Sequence, residues 1–198
     1  MAKTTTWRVA DIVIAAVIAV ASGVIFWAWN MTYAGLEFLW AAFPPASGLV
    51  VGMWLFPGVL GALIIRKPGA ALFCEVIAAV ISAFLGSQWG VTVLLSGLIQ
   101  GLGAELVFAS FRYRRFGLWV ATLAGGAAGL FGTFNDAFIM AWFPEYTLAM
   151  KLIYMGCGVV SGLLIAGALS WVLTRAIAKT GALSSLASRK AGSEPVNA

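Results

Sequence analysis

Long apolar runs, broken by short polar joints, make up almost the whole chain. The runs cover residues 7–30, 44–65, 70–85, 91–111, 117–142 and 148–178. A bilayer core needs about 20 apolar residues per helix, so each run is predicted as one membrane helix, the third short and the last two long enough to tilt or overhang. The joints carry turn and terminus residues: Pro44-Pro45, Lys67-Pro68-Gly69, the GSQWG stretch from Gly86 to Gly90, the RYRR stretch from Arg112 to Arg115, and Pro144. Pro57-Gly58 falls inside the second run and predicts a bend there. No run alternates apolar and polar positions as an outer-membrane barrel strand would. The predicted fold class is therefore all-α: a polytopic membrane protein of six transmembrane helices over 1–180. A small, polar, disordered tail is expected over 181–198.

Composition agrees with this pattern. Of 198 residues, 62% are hydrophobic and 10% are charged, against roughly 25% charged in soluble domains. Such a chain cannot cover a water-soluble globule with polar surface. The net charge of +5 is explained by its distribution. With the N-terminus placed inside, eleven of the twelve Lys and Arg residues fall on inner segments: Lys3, Arg8, Arg66, Lys67, Arg112, Arg114, Arg115, Arg175, Lys179, Arg189 and Lys190. Only Lys151 falls outside. This asymmetry predicts a multi-pass protein of the cell membrane with both termini in the cytoplasm. It also accounts for the positive charge without nucleic acid. Ala19-Val20-Ala21 mimics a signal-cleavage site, but Asp11 interrupts the basic lead-in and the topology needs the first helix retained.

The absence of histidine removes Ser-His and Cys-His catalysis, the usual zinc sites and haem ligation by histidine. There is no GxxxxGK[ST] phosphate loop and no GxSxG elbow, and Ser47 has no histidine to activate it. Cys74 and Cys157 lie in apolar runs and read as buried packing residues. No enzyme and no cofactor are expected.

Polar residues inside the spans carry the functional signal, because a charged group at the bilayer centre costs about 2.5–3.5 kcal/mol on insertion scales. They are Asn30, Glu75, Gln100, Glu105, Asn135 and Asp136. At about 1.5 Å per residue, Gln100, Asp136 and Glu75 lie roughly 15, 12 and 16 Å below the outer surface. Gln100, Asn135 and Asp136 therefore suit a pocket open to the outside. Glu105, roughly 10 Å from the inner surface, suits a basic partner or a packing cap. Glu75 suits either an internal hydrogen bond or the pocket floor. Asn30 ends the first predicted helix, where it could cap that end or touch a ligand.

Of the nine tryptophans, Trp7, Trp119 and Trp171 fit an inner interfacial belt and Trp142 an outer one. The outer cluster of Trp27, Trp29, Tyr33, Trp40 and Trp89 is richer than a belt requires. With Gln88 it could form an aromatic mouth, since ring faces hold flat heteroaromatics and cations. Trp54 lies near mid-span and reads as packing; Tyr154 faces a choice between packing and ligand contact. The candidate ligand-binding set is Trp29, Asn30, Glu75, Gln88, Trp89, Gln100, Asn135, Asp136 and Tyr154. Small residues at four-residue spacing, Ala15 and Ala19 in the first span and Gly97 and Gly101 in the fourth, allow helices to approach closely. Gly125, Gly129 and Gly132 do the same in the fifth.

Several stretches carry a family resemblance: FPGVLGALIIRKPGAALFCE, LGSQWG, SGLIQGLGAELVF, FRYRR and the opening WRVADIVIAAVIAVASGVIFWAWN. Together they resemble the YkoE-type substrate-binding (S) component of energy-coupling-factor (ECF) vitamin transporters. The resemblance covers nearly all of the chain except the tail. It implies a six-helix membrane protein that captures thiamin or its hydroxymethylpyrimidine precursor from outside. It also implies a transmembrane coupling (T) protein and two cytoplasmic ATPases as partners. In S-components generally an AxxxA face on the first helix meets the coupling protein, and Ala15 and Ala19 match that pattern. An S-component for another vitamin or small heterocycle remains the nearest alternative. A small membrane enzyme or an assembly protein is the more distant one.

Overall fold

A computed structural model describes residues 6–196; Lys3, counted among the inner basic residues, lies outside them. Within the described residues the regular structure is all helical, in six rods. The first rod is α1 (Val9–Gly35). The second joins a 3-10 segment (Pro44–Trp54) to α2 (Phe56–Ile65). The third is α3 (Ala70–Phe84), and the fourth is α4 (Val93–Ser110), entered by a 3-10 turn (Gly90–Thr92). The fifth is α5 (Leu118–Phe134), running into a π-helical turn (Asn135–Ile139). The sixth joins α6 (Leu148–Ser161), a π segment (Gly162–Leu169) and α7 (Ser170–Lys179). Among the described residues, four stretches are long and apolar enough to cross a membrane: Val9–Gly35, Pro44–Ile65, Gly90–Ser110 and Leu148–Lys179.

Three boundaries differ from the sequence reading. α1 continues five residues beyond Asn30, so that residue does not end the helix. The fifth rod stops at Ile139 rather than Trp142. Ala141 there takes a left-handed backbone (φ 48°) and the chain turns away ahead of Pro144. The break in the second rod falls at Leu55, just ahead of Pro57, whose missing N–H is harmless in the first turn of α2.

The second rod is the axis of the bundle, and every residue of α2 from Pro57 to Ile65 is buried. Val51, Leu55, Val59 and Leu63 pack there with Phe108, Val120 and Ala124. The outward faces of α1 and α6 instead expose Val13, Val17, Val20, Leu152, Val160 and Leu164, as a lipid-facing helix does. α5 and the sixth rod approach backbone to backbone. A Cβ built at Gly125 would collide with the carbonyl of Gly162, and one at Gly129 with that of Gly158. Only glycine permits that spacing.

The basic residues gather at one end of the bundle, where carboxylates fasten the turns. Asp11 accepts the Arg8 backbone N–H at 2.8 Å and the Arg8 guanidinium at 2.9 Å, closing the first turn of α1. It also accepts the Lys67 ammonium, tying α1 to the turn before α3. Glu105 of α4 accepts the N–H groups of Gly69, Ala71 and Leu72 at 2.6, 2.9 and 3.3 Å. A carboxylate from one helix thus caps the positive end of the next. The packing-cap role expected for Glu105 is the one the geometry gives it. Segment 181–196, expected as a disordered tail, lies in successive turns against this same end. Leu183 and Leu186 are buried there, and the Ser188 hydroxyl donates to the Ile64 carbonyl at 2.6 Å.

Ala15 and Ala19 do not form a free face. Both are 0% exposed. The Cys74 thiol of α3 donates to the Ala15 carbonyl at 3.6 Å. The close approach that small residues allow is used inside the chain, against α3.

Candidate functional site

The opposite end of the bundle encloses a cavity with about 640 Å³ of empty space, part of it open to solvent. Each wall comes from a different rod: Asn30 and Tyr33 from the first, Trp54 from the second, Ser82 from the third, Ser96 and Gln100 from the fourth, Asp136 from the fifth and Tyr154 from the sixth. Every rod thus contributes to the lining.

On one side, Asn30 anchors a polar wall. Its carboxamide oxygen accepts the Trp54 indole N–H at 2.8 Å. Its amide nitrogen lies 3.4 Å from the Ser82 hydroxyl and 3.3 Å from that of Ser87. Four elements are linked through one buried side chain, which is why a polar residue is tolerated there.

On the other side stands Asp136, in the π-helical turn. Such turns widen the helix by one residue and recur at functional sites. Here the extra residue lets Asn135 and Asp136 both point inward. The Tyr154 hydroxyl donates to Oδ2 of Asp136 at 3.0 Å, and the Asn135 amide donates to Oδ1 at 3.3 Å and to the Ser96 hydroxyl at 3.0 Å. Gln100 reaches the cavity with no protein partner for its amide among the described residues. Its amide can both donate and accept.

Aromatic rings finish the site. Trp89, from the joint before α4, and Trp142, from the joint after the π turn, stack with ring centroids 4.7 Å apart at 25°. Trp54 is flanked by Tyr33 at 5.2 Å and Trp29 at 6.0 Å, both edge to face. Phe143 lies edge to face on Tyr154 at 5.1 Å.

Of the residues singled out from sequence, Asn30, Trp89, Gln100, Asp136 and Tyr154 line this cavity. Asn135 stands one layer behind, holding Asp136 and Ser96. Trp29 packs behind Trp54 without reaching the lining. Gln88 is exposed on its turn. Glu75 is 1% exposed and accepts the Gly58 N–H at 2.7 Å. It serves the start of α2, where the second rod breaks, and is not brought to the cavity.

Sequence reasoning placed Tyr33 in the aromatic mouth but outside the ligand-binding set, and it did not select Trp54, Ser82, Ser87, Ser96, Trp142 and Phe143 as site residues. A signal existed for two of them. Ser96 stands one helical turn before Gln100 on the same face of α4, and Trp54 sits too deep for an interfacial belt. Ser82 looks like any small packing residue of a membrane helix.

Comparison with known proteins follows the same lines. The family model for the ABC-type cobalt transport system permease component matches residues 10–131. A Bacillus subtilis (strain 168) protein, YkoE, named as an HMP/thiamine permease, is 36% identical over 185 residues, covering 92% of this chain and 90% of its own length. A crystal structure of an S-component of an ECF transporter superposes with a TM-score of 0.86 at 34% identity, covering 93% of this chain and 92% of that one. The chain belongs to the ABC-type cobalt transport system permease family, and within it to the YkoE-type S-components of ECF transporters, which are membrane transport proteins rather than enzymes.

Proposed function

We propose that this chain captures thiamin or its hydroxymethylpyrimidine precursor outside the cell for ATP-driven uptake. The cavity is its binding site. A transmembrane coupling protein and two cytoplasmic ATPases are its partners. All six rods cross the membrane, with the basic end and both termini in the cytoplasm. The charge asymmetry supports that orientation, and the name of the Bacillus subtilis relative supports the ligand.

The observation that carries the reading is the cavity's pairing of a free amide with an acid and a set of flat rings. A 4-aminopyrimidine presents a donor beside an acceptor, and the Gln100 amide matches that edge. A thiazolium is cationic; Asp136 and the faces of Trp54, Trp89 and Phe143 offer a counter-charge and ring quadrupoles. The joint between the first two rods, with Glu37, Phe38 and Trp40 in a 3-10 turn, is the segment that encloses the bound ligand.

Titration of the purified full chain with thiamin, the bare pyrimidine and riboflavin tests this, read by calorimetry. Tight binding of thiamin or the pyrimidine supports it. Micromolar or weaker binding of both, beside tight binding of riboflavin, would assign the chain to another vitamin.

A further inference from the structure

At the basic end, a second and smaller hollow, with about 220 Å³ of empty space that includes open solvent, lies between α2, α7 and the C-terminal segment. Two guanidiniums frame it. Arg66 closes α2 in a left-handed conformation (φ 56°), and its side chain lies 5.0 Å from the ring centre of Phe116. Arg175 lies 4.7 Å from the ring centre of Trp171 on the same helix. Into this frame the chain places its own acid. Both oxygens of Glu194 accept from Arg66, at 2.7 and 2.6 Å. Arg175 binds the Glu194 and Gly192 carbonyls at 2.6 and 3.0 Å. A two-point guanidinium–carboxylate fork is the geometry that also fits a phosphate.

The segment that delivers Glu194 is anchored by separate contacts along its length, among them the buried Ala191 and the Val196 carbonyl, which accepts the Leu118 N–H at 2.8 Å. Leu183 and Leu186 are buried, Ser188 bonds Ile64, and the Arg8 guanidinium donates to the Ser185 carbonyl at 2.8 Å. Its turns are short and its exposed residues include Ala182, Arg189 and Lys190. Trp171 and the exposed apolar Val172 and Leu173 put the cradle beside a lipid-facing surface of α7.

We propose that the Arg66–Arg175 cradle is an oxyanion site, held in cis by Glu194, and that the phosphate headgroup of an anionic lipid takes the same place when segment 181–196 lifts. A tethered carboxylate has a high effective concentration, so a dilute soluble anion competes poorly. A lipid at the surface is itself concentrated, and each guanidinium near an anionic leaflet favours it. The inference rests on the reading that this end lies at a membrane surface, and is independent of what the large cavity binds.

The test is hydrogen exchange of amides 184–194 in the full chain, in nanodiscs of phosphatidylcholine alone or with phosphatidylglycerol. Both leaflets are then identical, so the result does not depend on orientation. The wild-type segment is expected to exchange about tenfold faster with phosphatidylglycerol. Glu194→Gln should exchange fast in both lipids. Arg175→Gln should exchange fast and lose the lipid dependence. Native mass spectrometry should find one phosphatidylglycerol retained more strongly by Glu194→Gln than by the wild type. Equal exchange of the wild type in both lipids overturns the proposal. So does acceleration by inorganic phosphate in phosphatidylcholine that matches phosphatidylglycerol, which would make the ligand a soluble anion.

Discussion

The phenol of Tyr154 and the carboxylate of Asp136 join the fifth and sixth rods beside the cavity, the hydroxyl donating to Oδ2 at 3.0 Å. Asn135 donates to the other oxygen, so both Asp136 oxygens serve as acceptors and the carboxylate is held in one orientation. If Asp136 faces a cationic ring, Asp136→Asn should weaken thiamin about 10- to 100-fold, the range of roughly 1.5–3 kcal/mol for a hydrogen bond to a charged group. The neutral pyrimidine should lose far less. Calorimetric titration of both ligands checks this, and equal losses would make Asp136 a structural residue. Tyr154→Phe should give a smaller loss in the same direction.

Trp54 and Asn30 make a second, separable prediction. Trp54→Phe keeps a ring against Trp29 and Tyr33 but gives up the 2.8 Å bond to Asn30. A neutral hydrogen bond contributes about 0.5–1.5 kcal/mol, so ligand affinity should fall several-fold with little change in melting temperature. Asn30→Ala removes the links to Trp54, Ser82 and Ser87 together. It should lower both affinity and melting temperature. A Trp54→Phe protein that melts much earlier yet binds normally would make this ring a packing residue after all.

The rods could be read in advance because membrane helices are specified by length and hydropathy, which are local quantities. Their joints were legible for the same reason, since Pro68-Gly69 and the Gly86 to Gly90 turn stop a helix wherever they occur. The site was legible only in part. Gln100 and Asp136 stand out because a strongly polar group in a membrane helix needs a reason. Glu75 stands out equally, and its reason proved to be the Gly58 N–H. Burial alone cannot separate a ligand contact from an internal bond. The π turn at Asn135 leaves no mark in composition, yet it aims Asp136. Ala15 and Ala19 illustrate the same limit: small residues at four-residue spacing tell that a helix packs closely, never against what.

Glu105 gives a prediction about stability alone. It caps α3 through three backbone N–H groups and also takes the Tyr113 hydroxyl at 2.8 Å. Glu105→Ala leaves those donors without an acceptor, at a cost of about 1–3 kcal/mol, so the melting temperature should fall clearly. Glu105→Gln should retain part of the cap. Neither change reaches the cavity, so ligand affinity below the transition should stay at its wild-type value. A large affinity loss with an unchanged melting temperature would move Glu105 from cap to ligand pathway.

The alanines of α1 give the last prediction. Ala15 and Ala19 are fully buried, and Ala15 abuts Cys74 through its own carbonyl. Farther along the same helix, a Cβ built at Gly23 would lie 2.5 Å from the Cβ of Ile81. The whole stripe is therefore spent on α3. An indole at either alanine must push α1 away, and overpacking of this kind costs typically 1–3 kcal/mol, occasionally more. Ala15→Trp and Ala19→Trp should thus melt early or fail to fold, and weaken binding through the displaced Asn30 wall. Val17→Trp, on the exposed side of the same helix at 62% exposure, should fold and bind as the wild type does. Thermal shift and ligand titration on the three variants decide the matter. If Ala15→Trp kept its melting temperature and affinity but lost assembly with a coupling protein, the α1–α3 contact would have to open in the complex, and the stripe would belong to the partner instead.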